Sequence, residues 1–537
     1  MNIKLIAGFV ALSFAMLLHA APPAPGIPSA GMPKDSVHIN PETAKLIAQG
    51  APFYAQTRTI VATGTRNIAV IFVGFSGSAL TAPQVAAYTT SSTSSTSGYL
   101  KRMADYFTEC SYGSLSLNTT AYTNTGSGYA LANTMGYYSA SDYTNVTNGT
   151  LFHDACLAAG VTKGAYDALL VVHAGNGAES VSSPTNEIWS MFTGPFSAGA
   201  DGFTEGETVP VTEAGVLSPF GVLCHEFGHQ LGLVDLYNTS GVAHPSNIGM
   251  WDIMDYGCWA DNGKNPTHQS AWSKQLLKWI SPVQVSSSTP LTLVNYESTS
   301  NTVYRIPILG SSTEYFLLEF RKQITADNFL PGFGTVIYHV DDSIGTVSLN
   351  NVNSLSPHLR VSLVEADNNS DIPTNHGDPG DPWADGSLFT SPRSDGYSGQ
   401  SYMTVSNFTG TATNTVTANL AAIAATTALN ITNFFNFPNP VKGAASTTIR
   451  LALSRPFTTA ELRILTIAGD QLLDKTIDFS NFKTTLSDST QTWIFDYVWD
   501  LKNSSGNLVS SGLYLCVITT NISGTTQSKT SKLVIVR

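Results

Sequence analysis

The spacing of apolar positions divides the chain into regions of different character. Asn67 to Phe75 (NIAVIFVGF) and Asp167 to His173 (DALLVVH) are short, nearly unbroken apolar runs, the pattern of strands covered on both faces. Tyr99 to Thr108 repeats its apolar residues at helical spacing, and Gly113 to Asn118 alternates like a strand. Glu187 to Trp189 fits an edge strand. Residues 80–98 are rich in Ser and Thr and carry no core-building pattern, so a loop is expected there. Ser218-Pro219 opens a further helix, with Ser as the cap and Pro at the first helical position. Gly232 is a natural stop for it. Strands alternating with helices predict an α/β or α+β layer. Beyond about residue 285 strand patterns take over, as in Tyr315 to Phe320, Gly334 to Val340 and Leu359 to Val364. A Thr/Ala-rich stretch near 409–429 has the composition of a linker. Residues 431–537 then alternate through several strands with turns at Ala468-Gly469-Asp470, Ser505-Gly506-Asn507 and Ser511-Gly512, the pattern of a small antiparallel sandwich.

Length and composition narrow this picture. The 537 residues allow about three or four domains. Charged residues make up 12%, about half the usual ~25%, and hydroxyl and amide side chains fill the gap, as suits a β-rich extracellular surface. With 26 Lys and Arg against 38 Asp and Glu the net charge is −12. Such a chain repels phosphate backbones, so nucleic acid is not an expected partner. Met1 to Lys4 is a short basic start, Leu5 to Leu18 an apolar run too short to span a bilayer comfortably, and His19-Ala20-Ala21-Pro22 offers small residues for a signal peptidase. Residues 1–20 are therefore expected to be a signal peptide. No later run is long and apolar enough to span, so the mature protein is expected to be secreted or held at the cell surface by other means.

Residues 21–63 are expected to form a pro-segment, Pro/Gly-rich at first, with a short helical pattern from Asn40 to Gln49. It contains no cysteine, which excludes a thiol as a latency ligand; Asp35 offers a carboxylate in its place, or is simply a solvated loop residue. The five cysteines, Cys110, Cys156, Cys224, Cys258 and Cys516, show no metal-binding spacing. Export permits disulfides; Cys110–Cys156 and Cys224–Cys258 are the pairs to test, against buried free thiols.

The chemistry concentrates in HEFGHQLGLVD, His225 to Asp235. His225 and His229 stand four apart on the expected helix, so both imidazoles lie on one face and reach one ion. Zinc prefers such nitrogen ligands, and a catalytic site keeps one position open for water. Glu226 follows the first ligand, placed to take a proton from that water and pass it to a leaving amine. A surface helix with two histidines would show the same five residues. Gly232 separates the two readings, because it lets the chain turn back and bring Asp235 in as third ligand or as an outer carboxylate orienting a histidine. Met254, in WDIMDYG, would form an apolar floor beneath the ion, and the whole resembles the metzincin layout. Tyr256, two residues on, is either an oxyanion donor or a packed aromatic.

These segments resemble the immune inhibitor A family of secreted bacterial metallopeptidases, peptidase family M6. The resemblance rests on CHEFGHQLGLVDLY (Cys224 to Tyr237), GMWDIMDYGCW (Gly249 to Trp259) and Pro266 to Ile280. YDALLVVHAG (Tyr166 to Gly175) and EIWS (Glu187 to Ser190) add to it upstream, and EYFLLEFR (Glu314 to Arg321), LPGFGTVIYHVDD (Leu330 to Asp342) and VEADN (Val364 to Asn368) downstream. It implies a secreted endopeptidase with one catalytic zinc on His225, His229 and Asp235, Glu226 as general base, and protein or peptide substrates. It also implies structural calcium, for which Asp371, Asp378, Asp381 and Asp385 cluster in a Gly/Pro-rich loop, although no EF-hand spacing is present and a solvated acidic loop has the same composition. The pro-segment is shorter than the family usually carries. FNFPNPVKG (Phe435 to Gly443), LRILTIAGD (Leu462 to Asp470) and Tyr497 to Ile518 resemble the small C-terminal β-sandwich of exported bacterial proteins, some of which serve secretion or surface-attachment machinery.

The expected architecture is a multidomain α+β chain. A metzincin-like catalytic domain at 64–283 is followed by a β-rich domain at 284–425 and an Ig-like sandwich at 431–537. The competing reading is a surface adhesion or scaffold protein with a residual metal site. An intact Glu226 argues against it, since structural zinc has no need of that carboxylate.

Overall fold

The computed structural model describes residues 17–27, 60–90, 97–239, 248–300, 302–309, 311–345, 347, 350–354, 358–369, 376–397, 401, 403–421, 431–453, 459–478, 493–522 and 525–537. The chain forms two compact units, residues 1–285 with 289–421, and residues 286–288 with 422–537.

The first unit is built on a mostly parallel sheet of β1 (Leu17–Ala20), β2 (Gly64–Gly74), β3 (Leu115–Tyr122), β4 (Tyr129–Ala130), β5 (Ala168–Asn176), β6 (Met191–Gly194) and β7 (Gly206–Thr212). The spatial order is β1-β6-β7-β5-β2-β3, with β4 beside β2. β2 is parallel to β3 and β5, and β5 to β7, whereas β6 is antiparallel to both β7 and β1. The apolar run of β2 accounts for its inner place: Ile68 to Val73 are all fully buried, so both faces need cover. Helices α1 (Ala82–Thr89), α2 (Tyr99–Cys110), α3 (Met135–Thr147), α4 (Thr150–Ala159), α5 (Phe220–Gln230) and α6 (Ala271–Leu276) belong to the same unit. α2 buries Leu100, Met103, Tyr106, Phe107 and Cys110, the stripe that its spacing predicts.

Three local expectations need correction, and one alternative left open, at the cysteines, is answered. Within 80–98 the chain forms α1, not a loop: Gln84 Oε1 accepts from the Thr81 N–H, Val85 and Tyr88 are buried, and the Tyr88 hydroxyl donates to Pro210 O at 2.6 Å. The strand here is Met191–Gly194 rather than Glu187 to Trp189, and it lies between β1 and β7 rather than at an edge; Ile188 makes only an isolated bridge to Gly177. Part of the expected linker is a strand, because Val416, Ala418 and Leu420 alternate inward and are buried. All five cysteines are free buried thiols; burial pushes Cys156 and Cys516 up to about 12, leaving little of the thiolate that disulfide exchange requires. The Asn40 to Gln49 helix and Asp35 lie outside the described residues.

The rest of this unit is β-rich: β8 (Val283–Gln284), β9 (Thr289–Val294), β10 (Tyr304–Pro307), β11 (Glu314–Arg321), β12 (Gly334–Asp341), β13 (Val361–Leu363), β14 (Thr404–Thr409) and β15 (Thr415–Ala421). They make a sheet ordered β13-β12-β11-β10-β8 and another ordered β14-β15-β9. Every residue of β11 and β12 is buried, and Leu317, Val336 and Tyr338 join the same apolar core as β2 and α5.

The second unit holds β16 (Ile431–Phe437), β17 (Val441–Lys442), β18 (Thr447–Leu453), β19 (Thr459–Thr466), β20 (Gln471–Asp478), β21 (Trp493–Trp499), β22 (Gly512–Ile522) and β23 (Thr525–Val536). A sheet ordered β16-β18-β21 and one ordered β17-β23-β22-β19-β20 share one core, to which Leu451, Leu462 and Leu533 contribute.

Candidate metal centre and its cleft

α5 carries the centre, and every residue of it is buried. Its start is close to expectation: Ser218 Oγ accepts from the Phe220 N–H at 3.3 Å. Its end is as expected, with Gly232 at φ +98° turning the chain back. That turn brings Asp235 to the histidines. Asp235 Oδ1 lies 3.1 Å from His225 Nε2 and 3.2 Å from His229 Nε2. The two imidazole rings are 4.9 Å apart and nearly perpendicular.

The far side of each ring fixes its tautomer. His225 Nδ1 is 2.8 Å from Ile253 O, and His229 Nδ1 is 3.1 Å from Leu233 O. A carbonyl only accepts, so both Nδ1 atoms carry the proton and both Nε2 atoms present lone pairs when the rings are neutral. Burial favours the neutral form of His229, pulling its pKa down. Burial alone would raise Asp235, but His229 and His225 outweigh it and hold that carboxyl well below the usual carboxylate range. Three lone-pair-bearing atoms thus converge on one point, which is unfavourable without a cation between them. The donor set, two imidazoles and a carboxylate, suits zinc.

Glu226 completes the cluster: one of its oxygens lies within 4.8 Å of ligand atoms of His225 and His229. It is fully buried, and neither oxygen has a hydrogen bond of ordinary geometry among the described residues. Burial, then Asp235, Glu207 and Glu179, push its pKa up, while the Phe192 backbone N–H on its β6 side pulls the other way. Such an unsatisfied buried carboxyl is costly unless a function retains it.

Met254 packs against α5 at Gly228, where an added Cβ would stand 2.7 Å from its Sδ. The Leu236 N–H ties this turn to the chain after α5, donating to Met254 O at 2.8 Å. Asp252 braces this turn, accepting from Met254 N, Ser270 N and Ser273 Oγ. Tyr256 stacks on His376 with ring centroids 3.6 Å apart, and burial, with Asp255 beside it, pushes its hydroxyl's pKa up.

Three participants had no local sequence signal. Asn350 Nδ2 donates to Asp235 Oδ2 at 2.5 Å, and Asn350 Oδ1 accepts from the Asp235 N–H at 2.8 Å. Gln230, at the end of α5, donates to Glu207 Oε2 on β7 at 2.7 Å. Tyr237 places its ring 6.4 Å from that of His225.

A second carboxylate cluster joins Glu365, Asp367 and Asp381, with oxygens within 4.8 Å of one another. Asp381 is 1% exposed; its Oδ2 accepts from Trp251 Nε1 at 2.8 Å, and its Oδ1 has no hydrogen-bond partner among the described residues. Asp378 adjoins it, donating from its backbone to Asp381 Oδ2. Of the four aspartates expected to gather here, Asp378 and Asp381 do. Asp385 does not, because it is engaged in accepting from the Thr411 N–H. Asp371 lies outside the described residues.

Comparison with known proteins places this centre. Residues 160–281 match the immune inhibitor A peptidase M6 catalytic domain. Pre-pro-metalloprotease PrtV of Vibrio cholerae serotype O1 is 31% identical over 165 residues, covering 26% of this chain and 18% of that protein. Immune inhibitor A of Bacillus thuringiensis subsp. alesti is 32% identical over 145 residues, covering 23% and 21%. The chain thus spans about a fifth of the length of these relatives. Among solved structures, dimeric latent PorU from Porphyromonas gingivalis matches at 14% identity over 38% of this chain and 18% of that one, with a TM-score of 0.17.

Proposed function

From the M6 peptidase catalytic domain at residues 160–281, we propose that the protein is a zinc-dependent endopeptidase that works outside the cell. The observation that carries this is the pairing of a cation-demanding triad with an unsatisfied buried carboxyl beside it. His225, His229 and Asp235 would hold the ion; bound there, it supplies a Lewis acid. The remaining work falls to the chain. Glu226 takes a proton from the attacking water and delivers it to the departing amine nitrogen, so one carboxyl serves both bond making and bond breaking. Tyr256, stacked on His376, is proposed as a donor to the developing oxyanion. The walls that exclude bulk water are the fully buried α5, Met254 and Trp251.

The test is Glu226→Gln. Hydrolysis of a casein-type substrate is expected to fall about 100- to 10,000-fold, with the melting curve and zinc content unchanged. Full activity in that variant, or chelator-insensitive cleavage by the parent, sinks the mechanism and returns the adhesion or scaffold reading.

The same reading takes residues 1–20 as an export signal, 21–63 as a pro-segment, and the C-terminal unit as a sorting or attachment module. It also places a structural calcium on Glu365, Asp367 and Asp381. Calcium is then expected to raise the melting temperature relative to a calcium-selective chelator, by about 2.7 kcal/mol of stability at a hundredfold excess over Kd. Asp381→Asn should erase that gain; an equal calcium response in the variant removes the site.

A further inference from the structure

A tyrosine side chain turns about two torsions, and a hydroxyl that is to donate at one point needs both of them fixed. Tyr256 opens the short helical turn Tyr256–Gly263 and is only partly buried, so packing within its own turn does not enclose the ring. The missing restraint comes from a distant part of the chain. His376 lies outside the matched catalytic domain at residues 160–281. Its imidazole nevertheless stacks on the Tyr256 phenol, with centroids 3.6 Å apart and planes 16° from parallel. Rings at that separation are in van der Waals contact across their faces. Turning the phenol about either torsion then means parting the stack.

Both halves of the stack are pinned to the same piece of backbone. On the tyrosine side, the buried Asp255 carboxyl accepts from the Tyr256 N–H at 3.0 Å through Oδ1. Through Oδ2 it accepts from the Ile248 and Gly249 N–H groups at 3.0 and 2.9 Å. On the histidine side, His376 O accepts from the Met250 N–H at 2.7 Å. The two segments are pressed together at Gly249, where φ is +62° and an added Cβ would collide with His376 O. The chain after His376 is tied down as well: Asp381 Oδ2 accepts from Trp251 Nε1 at 2.8 Å and from the Asp378 N–H at 2.9 Å. His376 is thus fixed on residues 248–251, to which Tyr256 is also tied. Burial pulls the pKa of His376 down to about 4, so above that pH the ring stacks as an uncharged aromatic surface. Burial pushes that of Tyr256 up, which keeps its hydroxyl a donor.

Resting on the reading of Tyr256 as the oxyanion donor, we infer that His376 is its positioning residue: the chain beyond the catalytic domain supplies an imidazole face that holds the phenol in place. His376 touches no reacting atom in this role. It contributes orientation, so its loss acts on kcat rather than KM, and only where the Tyr256 hydroxyl is present. The face of the ring carries the effect, and a phenyl ring serves in its place.

The experiment is a double-mutant cycle on the full, zinc-loaded chain, read with a fluorescence-quenched peptide derived from casein. Tyr256→Phe is expected to lower kcat about 100- to 1,000-fold. His376→Ala is expected to lower kcat roughly 10- to 100-fold, with KM, zinc content and the melting curve unchanged. In the Tyr256→Phe background the same His376→Ala change is expected to cost nothing further, whereas a merely structural role would lower kcat in both backgrounds alike. His376→Phe is expected to restore the parent's kcat and His376→Leu to leave it low; these two carry the comparison if His376→Ala melts early. An undiminished effect of His376→Ala in the Tyr256→Phe background overturns the inference, as does a His376→Phe variant no better than His376→Leu. Parent-like kcat in Tyr256→Phe removes that hydroxyl from the mechanism and the inference with it. Parent-like kcat in His376→Ala, with Glu226→Gln inactive, overturns the positioning role and leaves the endopeptidase standing. Absence of hydrolysis by the parent overturns the endopeptidase reading itself.

Discussion

Asp235 faces the histidines with one oxygen only, and the other is held by a residue far along the chain. Asn350 grips it twice, through Nδ2 on Oδ2 and through Oδ1 on the Asp235 N–H. Thr239 Oγ1 donates in turn to Asn350 O at 3.2 Å. This holds the carboxylate in one orientation and leaves Oδ1 aimed between the rings. Outer partners of this kind are worth about 10- to 100-fold in metal affinity. Asn350→Ala is therefore expected to weaken zinc binding by that factor, read by competition with a chromogenic chelator, while His225 and His229 stay in place. An unchanged affinity would mean that the turn at Gly232 alone positions Asp235. The gathering of His225, His229 and Asp235 was legible because all three sit within one helix-turn motif. Asn350 was not, since nothing in the residues around it marks a contact made across more than a hundred positions.

Among the elements, α5 shows how closely a helix must approach its neighbours to serve the site. At Gly221 an added Cβ would stand 1.8 Å from Cys258 O, and at Gly228 2.7 Å from Met254 Sδ. The first obstacle is backbone and cannot move alone; the second is the end of a flexible side chain. Gly221→Ala is thus expected to cost about 1–3 kcal/mol or more and Gly228→Ala less, with Met254 displaced, as measured by urea denaturation of both variants. Equal midpoints would contradict the packing. The same comparison explains what could be read from sequence. β2, β5, α2 and α5 declare themselves through unbroken apolar runs, helical spacing or motif. α1 was hidden because Ser and Thr dominate its surroundings, although Thr81, Pro83 and Gln84 mark a helix start and Val85 and Tyr88 its buried face. The position of β6 was missed because Ile188 and Trp189 are apolar for another reason: Trp189 turns its indole to Ala21.

Across the whole first unit, the catalytic-domain layer and the β-rich region are joined by a buried polar network around Lys274, and it should make stability depend on pH. Lys274 Nζ donates to Tyr112 OH at 3.0 Å and to His268 Nδ1 at 2.9 Å, and it lies over the rings of Tyr112 and Tyr296. His268 Nε2 bonds Glu109 at 2.8 Å, and Arg321 on β11 ties Asp327 and Glu319 together with Trp251 O. Burial brings Lys274 down to about 8; Cys110 opposes this, Arg321 adds to it, and Asp327 and Glu319 oppose it. In the unfolded chain the group titrates near 10.4. Its folded value is the lower one, so the charged ammonium is the form that folding penalises. That penalty, about 3 kcal/mol for a gap of this size, is fully present below about pH 8. It fades as pH rises towards 10.4, and above that value both states are neutral. The difference in unfolding free energy between the parent and Lys274→Met should therefore shift in the parent's favour between pH 8 and 10. Following the difference, rather than the parent alone, cancels the titration of the tyrosines and of the other acids in the network. A difference that stays flat across that interval would show that Tyr112, Tyr296 and the nearby carboxylates compensate the ammonium fully, and that the network joins the two regions without a pH-dependent cost.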